Sequence, residues 1–179
     1  MKLLILDGNS VINRAFFGVK PLTTREGLYT HAIYGFLNIL ERMEKEEQPD
    51  AVCVSFDLHG PTFRHKQYDG YKATRKPMPD ELRSQDPIIR ELIGQMGIAI
   101  IEKAGYEADD ILGTISQYCE DSGDRALLVT GDRDSFQLSG PRTTILYTKK
   151  GITDTLRVTP EYIRETYGLS PGQLIDVKA

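Results

Sequence analysis

Four short, nearly continuous apolar runs separated by amphipathic stretches restrict the folds open to this chain more than any other feature. Residues 3–6, 51–56, 98–101 and 126–129 lack the in-out alternation of a half-solvated strand, which predicts strands covered on both faces. Between them, residues 30–46 carry Ile33, Leu37 and Leu40 at helical spacing, with Tyr34 and Met43 at the margins of that face. Residues 79–96 place Leu82, Ile89, Leu92, Ile93 and Met96 likewise, with Pro87 as a kink or break, and residues 109–119 align Ile111, Leu112, Ile115 and Cys119. Strands alternating with helices predict βαβ units, hence an α/β fold: a central, mostly parallel, twisted sheet with helices on both faces.

Farther on, residues 144–147 and 155–158 flank Lys149-Lys150-Gly151 and read as a hairpin or as edge strands. Thr159-Pro160-Glu161 and Ser170-Pro171 each show the hydroxyl cap and following proline of a helix start. A chain of 179 residues, 40% of them hydrophobic, suits one domain. No stretch approaches membrane-spanning length, and Cys53 and Cys119 fall inside a strand and a helix pattern without CxxC spacing, so they are expected as reduced core residues in a cytoplasmic protein.

The acids stand where the strands end. Asp7 follows the first run, Asp57 the second, Glu107, Asp109 and Asp110 the third, and Asp132 and Asp134 the fourth. Parallel strands of an open sheet direct their carboxyl ends to one edge, so these seven side chains are expected in one crevice. Crowded carboxylates need protons or cations, and a ligand set of oxygens alone selects hard ions such as Mg²⁺ or Mn²⁺. Each acid also has a plainer role. Asp7 before Gly8-Asn9-Ser10 suits a turn or helix cap, Asp109 and Asp110 suit the positive end of a helix, with Asp110 the more solvent-facing, and Asp134 suits a salt-bridged turn. The conjunction of four strand ends favours the metal site.

The net charge of −4 conceals a contrast. Between residues 59 and 76, Arg64, Lys66, Lys72, Arg75 and Lys76 face Asp69 alone, which is +4 locally and leaves −8 for the remainder. A loop of roughly 20 residues exceeds the usual connection. Phe63, Tyr68 and Tyr71 interleave with its cations, a composition suited to stacking unpaired bases while cations follow the backbone, or to packing the loop onto the body. Arg64, Lys66 and Lys76 suit a solvated loop equally well.

Leu6-Asp7-Gly8-Asn9, Ser55-Phe56-Asp57, Gly105-Tyr106-Glu107-Ala108-Asp109-Asp110-Ile111 and Thr130-Gly131-Asp132-Arg133-Asp134 resemble, in order and spacing, the signature segments of the 5′ nuclease domain of bacterial DNA polymerase I, related to flap endonucleases. Arg14-Ala15-Phe16-Phe17, Tyr71-Lys72 and Arg75 extend the resemblance across essentially the whole chain. It implies a PIN-like, resolvase-like nuclease core spanning 1–179, with an arch-like basic loop at about 58–78. It also implies two divalent ions, Asp7, Asp57 and Asp109 serving the first with Glu107 close by, and Asp132 and Asp134 serving the second or bridging toward it. Lys72 and Arg75 would hold the scissile phosphate, and Arg64, Lys66, Tyr71 and Lys76 would join them on DNA. Partners implied are DNA with a 5′ end or single-stranded flap, an RNA primer on DNA, and an attached or neighbouring polymerase, with the chain itself a monomer.

Family members continue beyond the segment resembling residues 174–179 into a Gly-Asp-x-Ser-Asp motif and a helix-hairpin-helix. The expectation is therefore a core lacking that subdomain and holding one ion well, with Asp176 a structural or surface residue. Two other readings compete. One is a DNA-binding remnant with one metal site and little cleavage. The other is a haloacid-dehalogenase phosphatase with Asp7 as nucleophile, which needs a second acid where Asn9 stands.

Overall fold

A computed structural model describes residues 1–58, 60–68, 70–71 and 77–177. Six strands form one sheet in the order β3-β2-β1-β4-β5-β6. They are β1 (Lys2–Asp7), β2 (Ala51–Ser55), β3 (Ala99–Ile101), β4 (Arg125–Thr130), β5 (Thr143–Lys150) and β6 (Asp154–Val158). β1 lies parallel between β2 and β4, β3 and β5 extend the parallel set, and β6 runs antiparallel to β5 at the edge. The chain works outward from β1 through β2 to β3, then returns to β4 on the other side of β1. Connections leave in opposite directions there, which opens a crevice beyond the carboxyl ends of β1 and β4.

Successive residues of each strand point to opposite faces, and each face has its own core. Leu4, Leu6, Val54, Phe56, Leu127 and Val129 pack under α1 (Gly8–Gly18), α2 (His31–Glu47) and α5 (Asp86–Gln95). Ile5, Cys53, Ala126, Leu128 and Ile145 pack on the other side with Leu112 and Cys119 of α6 (Ala108–Ser122) and Ile163 of α7 (Pro160–Tyr167). Both cysteines are free and buried. Helix ends follow local chemistry: the Thr159 hydroxyl accepts from Tyr162 N–H ahead of Pro160, and α6 stops at Gly123 in the left-handed region. Among the described residues, no helix is long and apolar enough to cross a membrane.

The architecture matches the expected α/β fold, with local differences. The helix expected over 79–96 is two, α4 (Asp80–Arg83) and α5, and the break precedes Pro87, which sits in the first turn of α5. Gln85, fully buried at that break, accepts from the N–H groups of Ala32 and Ile33 and so caps α2 from across the core. The basic stretch contains a short helix, α3 (Phe63–Gln67), and Ser170-Pro171 leads only to a 3₁₀ turn at Gly172–Leu174. Tyr34 and Met96, placed on apolar faces by spacing, are exposed. Spacing assigns a face, but neighbouring elements decide how wide the covered stripe is.

Candidate metal centre

Asp7 ends β1 and caps α1, so one residue serves strand, helix and site. Its Oδ1 accepts from Ser10 N–H at 3.0 Å and its Oδ2 from the Thr130 hydroxyl at 2.9 Å. Only 8% of the residue is exposed. Desolvation pushes its carboxyl up to about 6; the donors of Ser10 and Thr130 oppose that rise, and the charges of Asp57 and Asp109 add to it. Gly8 lets the start of α1 lie against Phe56 here, because a Cβ on it would lie 2.2 Å from the Phe56 ring.

Asp57 leaves β2 with its N–H donated to Asn9 Oδ1 at 2.9 Å, and its Oδ1 accepts from Ala108 N–H at 2.7 Å. It therefore caps α6 from a neighbouring strand. Glu107, at the start of α6, is 5% exposed. Its N–H donates to Asp110 Oδ2 at 2.9 Å. The Arg64 guanidinium grips Asp110 in bidentate fashion at 2.7 and 2.8 Å and reaches Glu107 at 3.4 Å, while the Tyr71 hydroxyl donates to Glu107 at 2.9 Å. The hydrogen bond and charge of Asp110, with the charge of Asp109 behind it, push the Arg64 guanidinium well above its ordinary range.

Five of the seven predicted acids, Asp7, Asp57, Glu107, Asp109 and Asp132, line one crevice of about 640 Å³. Asp110 and Asp134 do not. They line an adjoining recess of about 730 Å³ that shares Asp109 and Asp132 with the crevice, so those two acids form the divide. Asp110 turns back to cap its own helix, and Asp134 donates its N–H to Asp132 Oδ1 at 2.8 Å within the 3₁₀ turn Arg133–Leu138. The expectation that Asp110 faces solvent more than Asp109 is reversed: Asp109 is exposed and Asp110 half-buried under Arg64. The Asp109 carboxyl is nevertheless raised, by desolvation first and then by the charges of Asp110 and Glu107.

The chemistry of this donor set fits a hard divalent cation, because every candidate ligand is a carboxylate and Asp7 already carries the cost of like charges nearby. The side chains do not close on a shared point. Among the described residues, no group of three or more Asp, Glu, His or Cys is arranged to hold an ion as it stands. Asp57 is turned toward an amide and Glu107 toward Arg64 and Tyr71, so part of their oxygen capacity is committed to the protein.

One wall escaped the sequence reading. Ser10, Asn13, Arg14 and Phe17 of α1 line the crevice, and Phe17 is 74% exposed while Phe16 packs on the core. Their i, i+3, i+4, i+7 spacing marks one helical face, polar but for Phe17, beginning three residues after Asp7, a signal present in the sequence. In the basic stretch, Arg64 is an ion-pair partner of the acids rather than a solvated loop residue, and Phe63 packs against Tyr106 with ring centroids 5.7 Å apart. Lys66 and Tyr68 are exposed. Lys72, Arg75 and Lys76 lie outside the described residues.

The chain matches the family model for the 5′-3′ exonuclease N-terminal resolvase-like domain over residues 2–168. It is 44% identical to DNA polymerase I of Bacillus caldotenax over 177 residues, covering 99% of this chain and 20% of that protein. Identity to DNA polymerase I of Mycobacterium leprae is 42% over 179 residues, again 99% and 20%. The chain thus spans about a fifth of the length of these curated relatives. Among solved structures, T5 5′-exonuclease with bound zinc superposes with a TM-score of 0.74 at 16% identity, covering 99% of this chain and 65% of that one. The T5 D15 protein co-crystallised with metal ions gives 0.72 at 17% identity over the same shares. The catalytic core of Rad2 with a DNA substrate gives 0.53 at 15%, covering 98% and 52%. At these identities the structural likeness establishes the fold.

Proposed function

Because the chain belongs to the 5′-3′ exonuclease N-terminal resolvase-like family, we propose that it is a divalent-metal-dependent nuclease core that hydrolyses phosphodiester bonds near 5′ ends or flaps of DNA. The observation that carries this reading is the meeting of carboxylates from four strand ends, Asp7, Asp57, Glu107 or Asp109, and Asp132, on one crevice at the topological switch of the sheet. Asp7, Asp57, Glu107 and Asp109 would hold a Mg²⁺ or Mn²⁺ ion, with Asp132, and Asp134 and Asp110 from the adjoining recess, toward a second. When bound, such ions supply hydroxide at neutral pH and offset charge on the phosphate and the leaving oxygen.

The protein's own groups do the positioning. Asn9 fixes Asp57, and Ser10 and Thr130 fix Asp7, while Arg14 brings a guanidinium to the crevice wall close to Gly131. Lys72 and Arg75 are proposed to hold the scissile phosphate, the Arg as a planar fork and the Lys as a point charge. Lys66, Lys76, Tyr71 and Arg64 extend that surface along DNA, the last two after leaving Glu107 and Asp110. A 5′ flap, a nick or an RNA primer on DNA are the substrates this reading covers, in a polymerase setting, with the chain monomeric and cytoplasmic.

A second reading, a DNA-binding chain with one ion and little turnover, draws on the commitment of Glu107 and Asp110 to Arg64. The two separate in a cleavage assay on a 5′-flap substrate with Mg²⁺ and with Mn²⁺. The first reading expects cleavage that Asp57→Ala and Asp132→Ala each lower by more than the roughly 10–100-fold that losing an outer-shell partner costs. Activity surviving both substitutions would come from a contaminant and would sink it; tight DNA binding without cleavage would favour the second.

A further inference from the structure

Thr130 ends β4 with none of its surface exposed, and its single hydroxyl makes two hydrogen bonds of opposite sense. It donates to Asp7 Oδ2 at 2.9 Å and accepts from Asp132 N–H at 3.1 Å. A hydroxyl has one proton to give, so donation to the carboxylate fixes the rotor and turns a lone pair toward the amide. Ser10 makes a parallel tie one residue away: it gives its N–H to Asp7 Oδ1 at 3.0 Å, and its Oγ accepts from Gly131 N–H at 2.8 Å. The loop that carries Asp132 is thereby referenced to Asp7, 123 residues earlier than Thr130 in the chain.

We propose that Thr130 is a positioning residue of the crevice, whose hydroxyl sets Asp132 relative to Asp7 across the β1–β4 switch. The inference rests on reading the crevice as a divalent-ion site, where partners that orient the ligands govern affinity nearly as strongly as the ligands themselves. Packing alone does not require threonine here. The strand needs a β-branched residue of this volume facing inward, which valine supplies, but valine would leave the Asp132 N–H and one Asp7 oxygen without this partner.

The test uses the whole chain, its Thr130→Val and Thr130→Ser variants, and Mn²⁺ alone as probe. Mn²⁺ affinity is read by electron paramagnetic resonance, and hydrogen exchange of the Asp132 amide by NMR, with the Gly131 amide, held by Ser10, as internal reference. Thr130→Val should weaken Mn²⁺ binding by about 10–100-fold and speed exchange at Asp132 more than at Gly131, while Thr130→Ser restores both. Unchanged Mn²⁺ affinity in the valine variant overturns the proposal. So does a folded serine variant that behaves like valine, which would place the effect in the γ-methyl. If the parent chain itself binds no Mn²⁺, the nuclease reading falls, an outcome distinct from a failure confined to the variants.

Discussion

Asp7 and Glu107 are both buried in the same crevice, yet their charges are handled in different ways. Asp7 is met by neutral donors, Ser10 N–H and the Thr130 hydroxyl, which do not offset its desolvation, and its carboxyl rises to about 6. Glu107 and its neighbour Asp110 are met by a cation, Arg64, brought over by α3. Neutral donors orient a carboxylate and leave its charge for an incoming ion, whereas a guanidinium neutralises it in place. Under the proposed metal-site reading, the β1–β4 end of the crevice is the one left open to an incoming cation. The α6 end already holds one, which an arriving ion or phosphate has to displace or share.

The contrast can be broken most forcefully at Asp7. Its native carboxyl takes up a proton near pH 6 and its unfolded counterpart near 4, so the folded state binds more protons between those values. This group's contribution to stability is largest below about pH 4 and is lost as pH rises through about 6. Without divalent ions, Asp7→Asn should gain on the parent by about 2–3 kcal/mol between pH 4 and pH 7 in urea unfolding, and added Mn²⁺ should stabilise the parent but not the variant. A difference that does not vary with pH would show that Asp7 carries no such burden.

Arg64→Gln tests the other end, with a smaller effect. Breaking a fully buried ion pair costs about 3–5 kcal/mol, and the partial exposure of Arg64 and Asp110 reduces the expected loss to about 1–2 kcal/mol. Mn²⁺ should recover more stability in this variant than in the parent, since it replaces the lost counter-charge. Equal stability of the two proteins without metal would mean that the pair contributes nothing and that the two ends do not differ. The smallest effect belongs to Lys66, exposed on the same short helix: Lys66→Ala should leave stability within about 0.5 kcal/mol. A larger loss in thermal unfolding would mean that α3 is held by more than Arg64 and its aromatic neighbours.

Local pattern makes much of this legible in the sequence. The apolar runs and helical spacings place all four core strands to within one or two residues, and Asp7, Asp57 and Asp132 stand at or just past strand ends while Glu107 caps the helix after β3, because a turn must follow a strand and acids suit turns and caps. The α1 face of Ser10, Asn13, Arg14 and Phe17 was equally readable by its spacing, although only its relation to the strand ends gives it meaning. Spacing turns Asp110 rather than Asp109 toward solvent, and the structure reverses that order. Adjacent helix positions differ by about 100° in direction, and which of the two meets solvent depends on Arg64, 46 residues earlier than Asp110.

The sequence by itself determined the four core strands and the main helices between them, the two-faced sheet and the collection of acids at one sheet edge, because these follow from periodicity and from the shared direction of parallel strands. Only the tertiary structure decided the division of those acids between crevice and recess, the pairing of Arg64 with Glu107 and Asp110, and the tie from Thr130 to Asp7 and Asp132. The physical reason is that charge compensation acts through space. It depends on distances between residues that are far apart along the chain, set for Asp7, Thr130 and Asp132 when β4 returns to lie beside β1, and for Arg64 and Asp110 when α3 packs at the start of α6.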